Sequence, residues 1–284
     1  MQGRLRNTSA ESSISKTIID AVSDFELDKL YISRRCKRLH SSYTNCCIVE
    51  KASEPEHDYR HKLLMEMWRL VRIRPYWEEY YSTLERLPRR LKSLAQFVVD
   101  ALPTFRQYNV ERVLDLGCGA GRHSIFLAKK SFDTIGIDVS KSALRIARKW
   151  VQRERLLNVD FVRATMTNIP FRDCCFGAVV SVSVIHHAVV KDIEATLNEI
   201  YRILDRNGCF LANVISVEDP RYGTGQKVEN NTFRILEAFE EKRFEELHHF
   251  FTKTEVFKLL TDFAKTDVKL MEDKPNYWKI VAMK

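Results

Sequence analysis

Val113-Leu114-Asp115-Leu116-Gly117-Cys118-Gly119-Ala120-Gly121-Arg122-His123-Ser124 is the stretch that decides the fold. Its first four residues are a short, mostly apolar run of the kind that forms a buried strand. Glycines at 117, 119 and 121 follow at once, where the chain turns sharply and leaves its backbone bare to a ligand. A helix is expected next, from about Gly121 to Lys130. Its first turn offers unpaired N–H groups and a partial positive charge, a combination that holds an anionic group.

Working outward, Thr134 to Asp138 reads as a second strand. It ends in an acid about 20 residues past the loop, where a carboxylate accepts from both hydroxyls of an adenosine ribose. Ser140 then caps a helix with Ala143, Leu144, Ala147 and Val151 inward. Val159 to Val162 and Gly177 to Val184 give a third and a fourth strand. Asp192 to Leu204 gives a helix ended at Asn207-Gly208, and Cys209 to Ile215 a fifth strand. Val268 to Met271 and Trp278 to Met283 are too close for a helix between them, so they form an antiparallel pair. Upstream, a helix is expected from about Arg89 to Leu102, stopped by Pro103. Regular alternation of strand and helix means a parallel sheet covered on both faces.

Two cofactors compete for a glycine loop followed by an acid. The dinucleotide fingerprint is G-x-G-x-x-G; here the third glycine comes one residue early, and a second nucleotide-binding half is missing. Both points favour S-adenosylmethionine, its carboxylate at the helix N-terminus and its ribose on Asp138.

At this point the chain resembles the class I, Rossmann-like S-adenosylmethionine-dependent methyltransferases over about Trp77 to Lys284. The resemblance is carried by VLDLGCGAGRHS, GIDVS (Gly136 to Ser140), IPF (Ile169 to Phe171), IHH (Ile185 to His187) and EIYRILDRNG (Glu199 to Gly208). It implies an α/β three-layer sandwich around a seven-stranded, mostly parallel sheet whose last strand is antiparallel, with a helical N-terminal extension. It implies that Asp115, Gly117, Cys118, Gly119 and Gly121 surround the methionine part, that Asp138 holds the ribose and Val139 lies against the adenine. Thr165 and Met166 would reach the adenine edge, and Ser183, near the end of the fourth strand, would lie on the cofactor side. Relatives often carry Asp at the position of Thr165, so here the adenine contact lacks a charge.

The acceptor site is sought beyond the carboxyl ends of the strands. His186 is the candidate general base, since imidazole titrates near neutral pH; a structural histidine bonded to backbone is the alternative. His187, Arg221, Tyr222 and His249 are candidate substrate residues, as is Tyr81 in the aromatic cluster Tyr76-Trp77-Glu78-Glu79-Tyr80-Tyr81, which resembles a lid helix. Asp219 to Gly225 reads as a mobile polar loop leading to a charged helix and then to His248-His249-Phe250-Phe251-Thr252. Thr252 to Glu255 fits a capping box.

Domain organisation follows. Residues 1–58 form an extension of uncertain order. Residues 59–284 form the methyltransferase domain, with a helical lid and first helix over 59–108 and a substrate-side insertion over 216–254. The 284 residues are 45% hydrophobic and 30% charged, a globular composition. No apolar run approaches the roughly 20 residues of a membrane helix, the N-terminus has no signal-type stretch, and the cytoplasm is the expected compartment. Seven cysteines, with adjacent pairs at 46–47 and 174–175, lack the C-x-x-C spacing of a zinc site, and no metal is expected. The leading function is methylation of a small molecule at O, N or S. The net charge of +8, and the likeness of SVSVIHH (Ser181 to His187) to some tRNA wobble-uridine methyltransferases, keep tRNA open as an acceptor. A non-catalytic cofactor-binding scaffold is the third reading, and the sequence leaves the oligomeric state open.

Overall fold

The structure, a computed structural model, describes residues 76–84, 86–239 and 242–284. The expected extension over 1–58 and the helical pattern from Tyr59 onward lie outside them.

Residues Arg112–Leu116 (β1), Asp133–Asp138 (β2), Val159–Arg163 (β3), Phe176–Val182 (β4) and Leu204–Ile215 (β5) form the parallel part of a seven-stranded sheet. Lys265–Leu270 (β9) and Tyr277–Met283 (β10) complete it, in the order β3-β2-β1-β4-β5-β10-β9. Strand β10 runs antiparallel to both β5 and β9, as the closing hairpin predicts. Register places Asp115 beside Gly136 and Val180, so the glycine loop leaves the sheet at its centre.

Helices cover both faces. On one, Phe97 and Val98 of Gln96–Asp100 (α2), Phe105 of Leu102–Gln107 (α3) and Leu127 of Arg122–Lys129 (α4) pack with Val113, Val180 and Leu211. On the other, Val190–Ile203 (α6) and Lys253–Leu259 (α7) bring Ile193, Leu197 and Val256 against Phe210, Val214 and Ile280. Leu211 and Phe210 go to opposite layers because strand side chains alternate. Burying a side chain of Phe210's size contributes about 1.5–3 kcal/mol. The helix Lys141–Glu154 (α5) starts where Ser140 Oγ accepts the Ala143 N–H at 3.1 Å, and Thr252 with Glu255 makes the expected capping box for α7. Among the described residues no helix is long and apolar enough to cross a membrane.

Four expectations are corrected. The helix expected over Arg89 to Leu102 is a 3-10 turn, Arg89–Leu91, then α2 and α3. Pro103 stops nothing: it occupies the first turn of α3, where a missing N–H is harmless. Strand β5 begins at Leu204, five residues earlier than expected, with Asn207 at φ 62° carrying the turn within it. The charged helix of the insertion is instead a three-stranded antiparallel sheet of Gln226–Glu229 (β6), Thr232–Phe239 (β7) and Lys242–His249 (β8). Phe233 and Ile235 point inward onto Ile215 and Phe250, while Arg234 and Leu236 are exposed. That period of two wins over the helix propensity of the charged residues. Finally, Asp219 to Gly225 is no loose loop. Asp219 accepts from the Arg221 backbone at 3.0 Å and its guanidinium at 2.8 Å, and Arg221 Nη1 donates to Glu237 at 2.6 Å.

Candidate active site

The glycine loop joins β1 to α4. Gly117, Gly119 and Gly121 have φ of 68°, 54° and 84°, a region an L side chain rarely adopts. At Gly119 space is limiting as well: a Cβ there would run into the Tyr81 hydroxyl. Cys118 N–H donates to Ile137 O at 2.9 Å, which lashes the loop to β2. Cys118 itself is a buried thiol facing Gly136, pushed well above its usual range by burial.

Two acids brace the loop. Asp115 is buried and accepts from Ser124 Oγ on α4 at 2.5 Å. Burial raises its carboxyl to about 6 against that hydrogen bond. Asp138, at the end of β2, accepts the Gly119 N–H on one oxygen and the Ser140 N–H on the other, both at 2.8 Å. Desolvation raises it, outweighing both N–H bonds. Each carboxylate oxygen carries two lone pairs, so capacity remains on both for ribose hydroxyls. The bare loop backbone, the start of α4 and Asp138 therefore fit S-adenosylmethionine. Val139, half-buried after β2, and Thr165 with Met166, just after β3, lie beyond the carboxyl edge of the same strands. Thr165 Oγ1 accepts from Thr167 Oγ1 at 3.4 Å. Ser183 leaves β4 at φ 58°, its N–H held by Asn213 Oδ1 of β5 at 2.7 Å.

The helix Tyr76–Ser82 (α1) lies over this loop. Glu78 ties it to α5: its carboxylate accepts from Ser140 Oγ and Ser142 Oγ at 2.8 Å and from Ser142 N–H at 3.1 Å. Partial burial pushes the Glu78 carboxyl up, but these hydrogen bonds outweigh it and the net displacement is downward. On its other side α1 meets the insertion, with the Tyr76 ring 5.1 Å from Phe244 and Trp77 5.5 Å from His187. Trp77 also hydrogen-bonds Glu246.

Histidines fill the space beyond β4. His186 is 1% exposed and His187 stands beside it, with ring centroids 4.2 Å apart. Burial lowers both, His187 to about 3 and His186 well below its usual value, so both rings are neutral at physiological pH. The third ring is His248, 4.7 Å from His187, where the sequence names His249. Strand β8 sends Phe244, Glu246 and His248 inward, and His249 goes to the other face. There its ring nitrogens meet Thr232 Oγ1 at 2.7 Å and Glu255 Oε1 at 3.0 Å, so it ties β7 to α7 rather than facing an acceptor. Arg221 borders the cluster through Glu237 and Tyr277, fully engaged in ion pairs. Tyr222 is exposed and packs edge-on to Phe233 and Phe250, away from the histidines, with its hydroxyl on Asn231. Tyr81 and His187 both lie against Trp77 of α1, at ring-centroid distances of 6.3 and 5.5 Å. Glu78, Asn213, Glu246 and His248 belong to the site and escape the sequence reading. The one visible signal is Asn213, a lone amide inside the apolar run of β5.

Residues 113–208 match the model of a methyltransferase domain family. A solved S-adenosylmethionine-dependent methyltransferase from Methanosarcina mazei superposes with TM-score 0.55 at 24% identity, covering 64% of this chain and 97% of its own. Residues 113–208 thus carry a methyltransferase domain on the Rossmann-like fold of the class I S-adenosylmethionine-dependent enzymes. An uncharacterised methyltransferase of Bacillus subtilis is 31% identical to this chain over 110 residues, 38% of this chain and 43% of the relative. A 2-heptyl-1-hydroxyquinolin-4(1H)-one methyltransferase of Mycobacteroides abscessus is 29% identical over 90 residues, 32% of this chain and 40% of the relative. The chain spans about half the length of the first curated relatives it matches.

Proposed function

We propose that this methyltransferase transfers the methyl group of S-adenosylmethionine to an oxygen, nitrogen or sulfur atom of a small molecule. The observation that carries the reading is the wall beyond β4 and β5. Trp77 and Tyr81 of the lid, His186, His187 and His248 make a mostly buried, aromatic-rich surface with a few placed polar atoms, the usual make-up of a small-molecule site. The similarity to a methyltransferase named for a hydroxyquinolinone supports the same class of acceptor.

S-adenosylmethionine supplies a methyl group on a sulfonium, already a good leaving group. The chain's task is then placement and exclusion of water. The glycine loop and Asp138 hold the cofactor's two polar ends. The lid rings, fastened by Glu78, shut out solvent. In the metal-free site His186, neutral and with an unpartnered Nδ1, is the proposed group to take a proton from an acceptor that must lose one.

Calorimetric titration with S-adenosylmethionine and S-adenosylhomocysteine tests this, alongside Asp138→Ala. Saturable binding is expected, weakened by about 100-fold or more in the variant, since two charge-assisted hydrogen bonds are lost at about 1.5–3 kcal/mol each. Mass-detected methylation of an acceptor panel follows. An intact chain that binds neither ligand overturns the reading. Methylation of tRNA with a steep salt dependence, and of no small molecule, replaces the acceptor class.

A further inference from the structure

Buried imidazoles ordinarily use both ring nitrogens, as His249 does between Thr232 and Glu255. Two of the trio beside it do not. The Nδ1 atoms of His186 and His248 are buried without a hydrogen-bond partner, although the two residues are only 1% and 3% exposed. A buried polar atom left unpaired opposes folding, and a bound ligand would relieve it. His186, His187 and His248 each offer a ring nitrogen, and these nitrogens lie within 4.8 Å of one another.

The outward nitrogens of two of the rings are oriented by oxygen acceptors. His187 Nδ1 lies 3.2 Å from Leu247 O and 3.2 Å from Glu246 Oε1. His248 Nε2 lies 3.5 Å from Glu237 Oε1. An acceptor at one nitrogen keeps the proton there and leaves the lone pair on the other. Backbone carbonyls and carboxylates fix metal-ligating histidines in the same way.

We propose that His186, His187 and His248 form a site for one divalent transition-metal ion, zinc by preference, with Glu246 and Glu237 orienting His187 and His248. Three neutral nitrogen donors suit zinc and its neighbours, whereas magnesium and calcium require oxygen. Zinc–nitrogen bonds of about 2.0–2.1 Å need the rings to draw in by about 1 Å, a small torsional adjustment. Three protein ligands leave a fourth position open, where an acceptor heteroatom would be polarised. That use rests on the methyl-transfer reading; binding of the metal does not. The ligands come from the exit of β4 and from β8, far apart in the chain, so no local spacing announces them.

The test is a titration of the full-length, tag-free, chelator-treated chain with Co²⁺, followed by visible absorption, then competition with Zn²⁺ and with excess Mg²⁺. One equivalent is expected to give the bands of a low-coordinate cobalt site, displaced by one equivalent of Zn²⁺ and untouched by Mg²⁺. His248→Phe and His186→Phe should abolish the bands. Glu246→Gln should weaken cobalt binding about 10–100-fold, as loss of an orienting partner does. A Cys174→Ser, Cys175→Ser variant should bind as the parent does, which excludes those two thiols as ligands. Circular dichroism and S-adenosylhomocysteine binding report that each variant is folded; His248→Asn replaces His248→Phe if the latter is not. No saturable binding at one equivalent, or unchanged bands in a folded His248 variant, overturns the site. Either result leaves the methyl-transfer reading to stand or fall on its own titration.

Discussion

Helix α1 touches two regions built by different means. The glycine loop is made from consecutive residues, and its geometry is a matter of backbone: positive φ at three glycines, and the Gly119 N–H directed at Asp138. Its buried acids have partners, Asp115 on Ser124 and Asp138 on two backbone amides. The histidine cluster is assembled from side chains of the β4 exit and β8, with Trp77 of α1 against it, and it leaves two buried imidazole nitrogens unpaired. A cofactor shared by many enzymes can be held largely by backbone, with one acid, Asp138, added to it. The acceptor side depends on which side chains happen to converge.

The largest effect that would break this contrast is at Gly119. Gly119→Ala puts a side chain at φ 54° and against the Tyr81 hydroxyl. The left-handed conformation alone costs about 1–2 kcal/mol, and the collision pushes lid and loop apart. Affinity for S-adenosylhomocysteine should fall on the order of 100-fold, and Tyr81→Phe in the same chain should recover part of it by removing the oxygen. A coupling of about 1 kcal/mol between the two sites is expected for residues in contact. Strictly additive losses would mean that the lid does not bear on the loop, and the two regions would then be independent.

The next effect sharpens the cofactor side. Asp115 rises from an ordinary 3.8 to about 6 because it is buried. Between those two values the unfolded chain has released its proton and the folded chain has not. The Asp115 contribution to stability is therefore full below pH 4, declines as pH rises to about 6, and is flat above. The whole swing is at most about 3 kcal/mol. Urea unfolding of the parent and of Asp115→Asn should give a stability difference that moves against the parent over pH 4–6. A difference that stays constant over that range would mean Asp115 titrates normally.

What was legible follows the same division. The loop was readable because strand, glycines and helix are local: an apolar run, residues that tolerate positive φ, and a capped start. Ser140 and the Thr252–Glu255 box were readable for that reason too. Thr232–Phe239 was not. Its sequence, TFRILEAF, alternates at Phe233 and Ile235, yet it runs into a glutamate- and lysine-rich segment with high helix propensity, and only packing on Ile215 and Phe250 decides for a strand. Misreading that element also misdirected the histidine. On a strand, His248 and His249 face opposite ways, so the residue that reaches His187 is the one passed over. Glu78 carried no signal at all, since nothing local marks a helix-surface glutamate that meets a distant helix N-terminus.

Glu78 nonetheless decides to which region the lid belongs. Its carboxylate takes three donors at the start of α5, where a negative charge also complements the helix dipole. Glu78→Gln keeps an acceptor oxygen and removes the charge, for a loss of about 1 kcal/mol. If the lid is part of the cofactor site, KM for S-adenosylmethionine should rise about fivefold with kcat nearly unchanged, while KM for the acceptor stays put. Trp77→Phe should do the reverse: it breaks the hydrogen bond to Glu246 and loosens the contact with His187, so the acceptor KM should move and the cofactor KM should not. Equal changes in both constants for either variant would show that α1 closes over loop and histidines as one body, because a rigid lid transmits a loosened end to the whole. A clean split would show that it is a strap with two separately anchored ends, as its two unlike sets of contacts suggest.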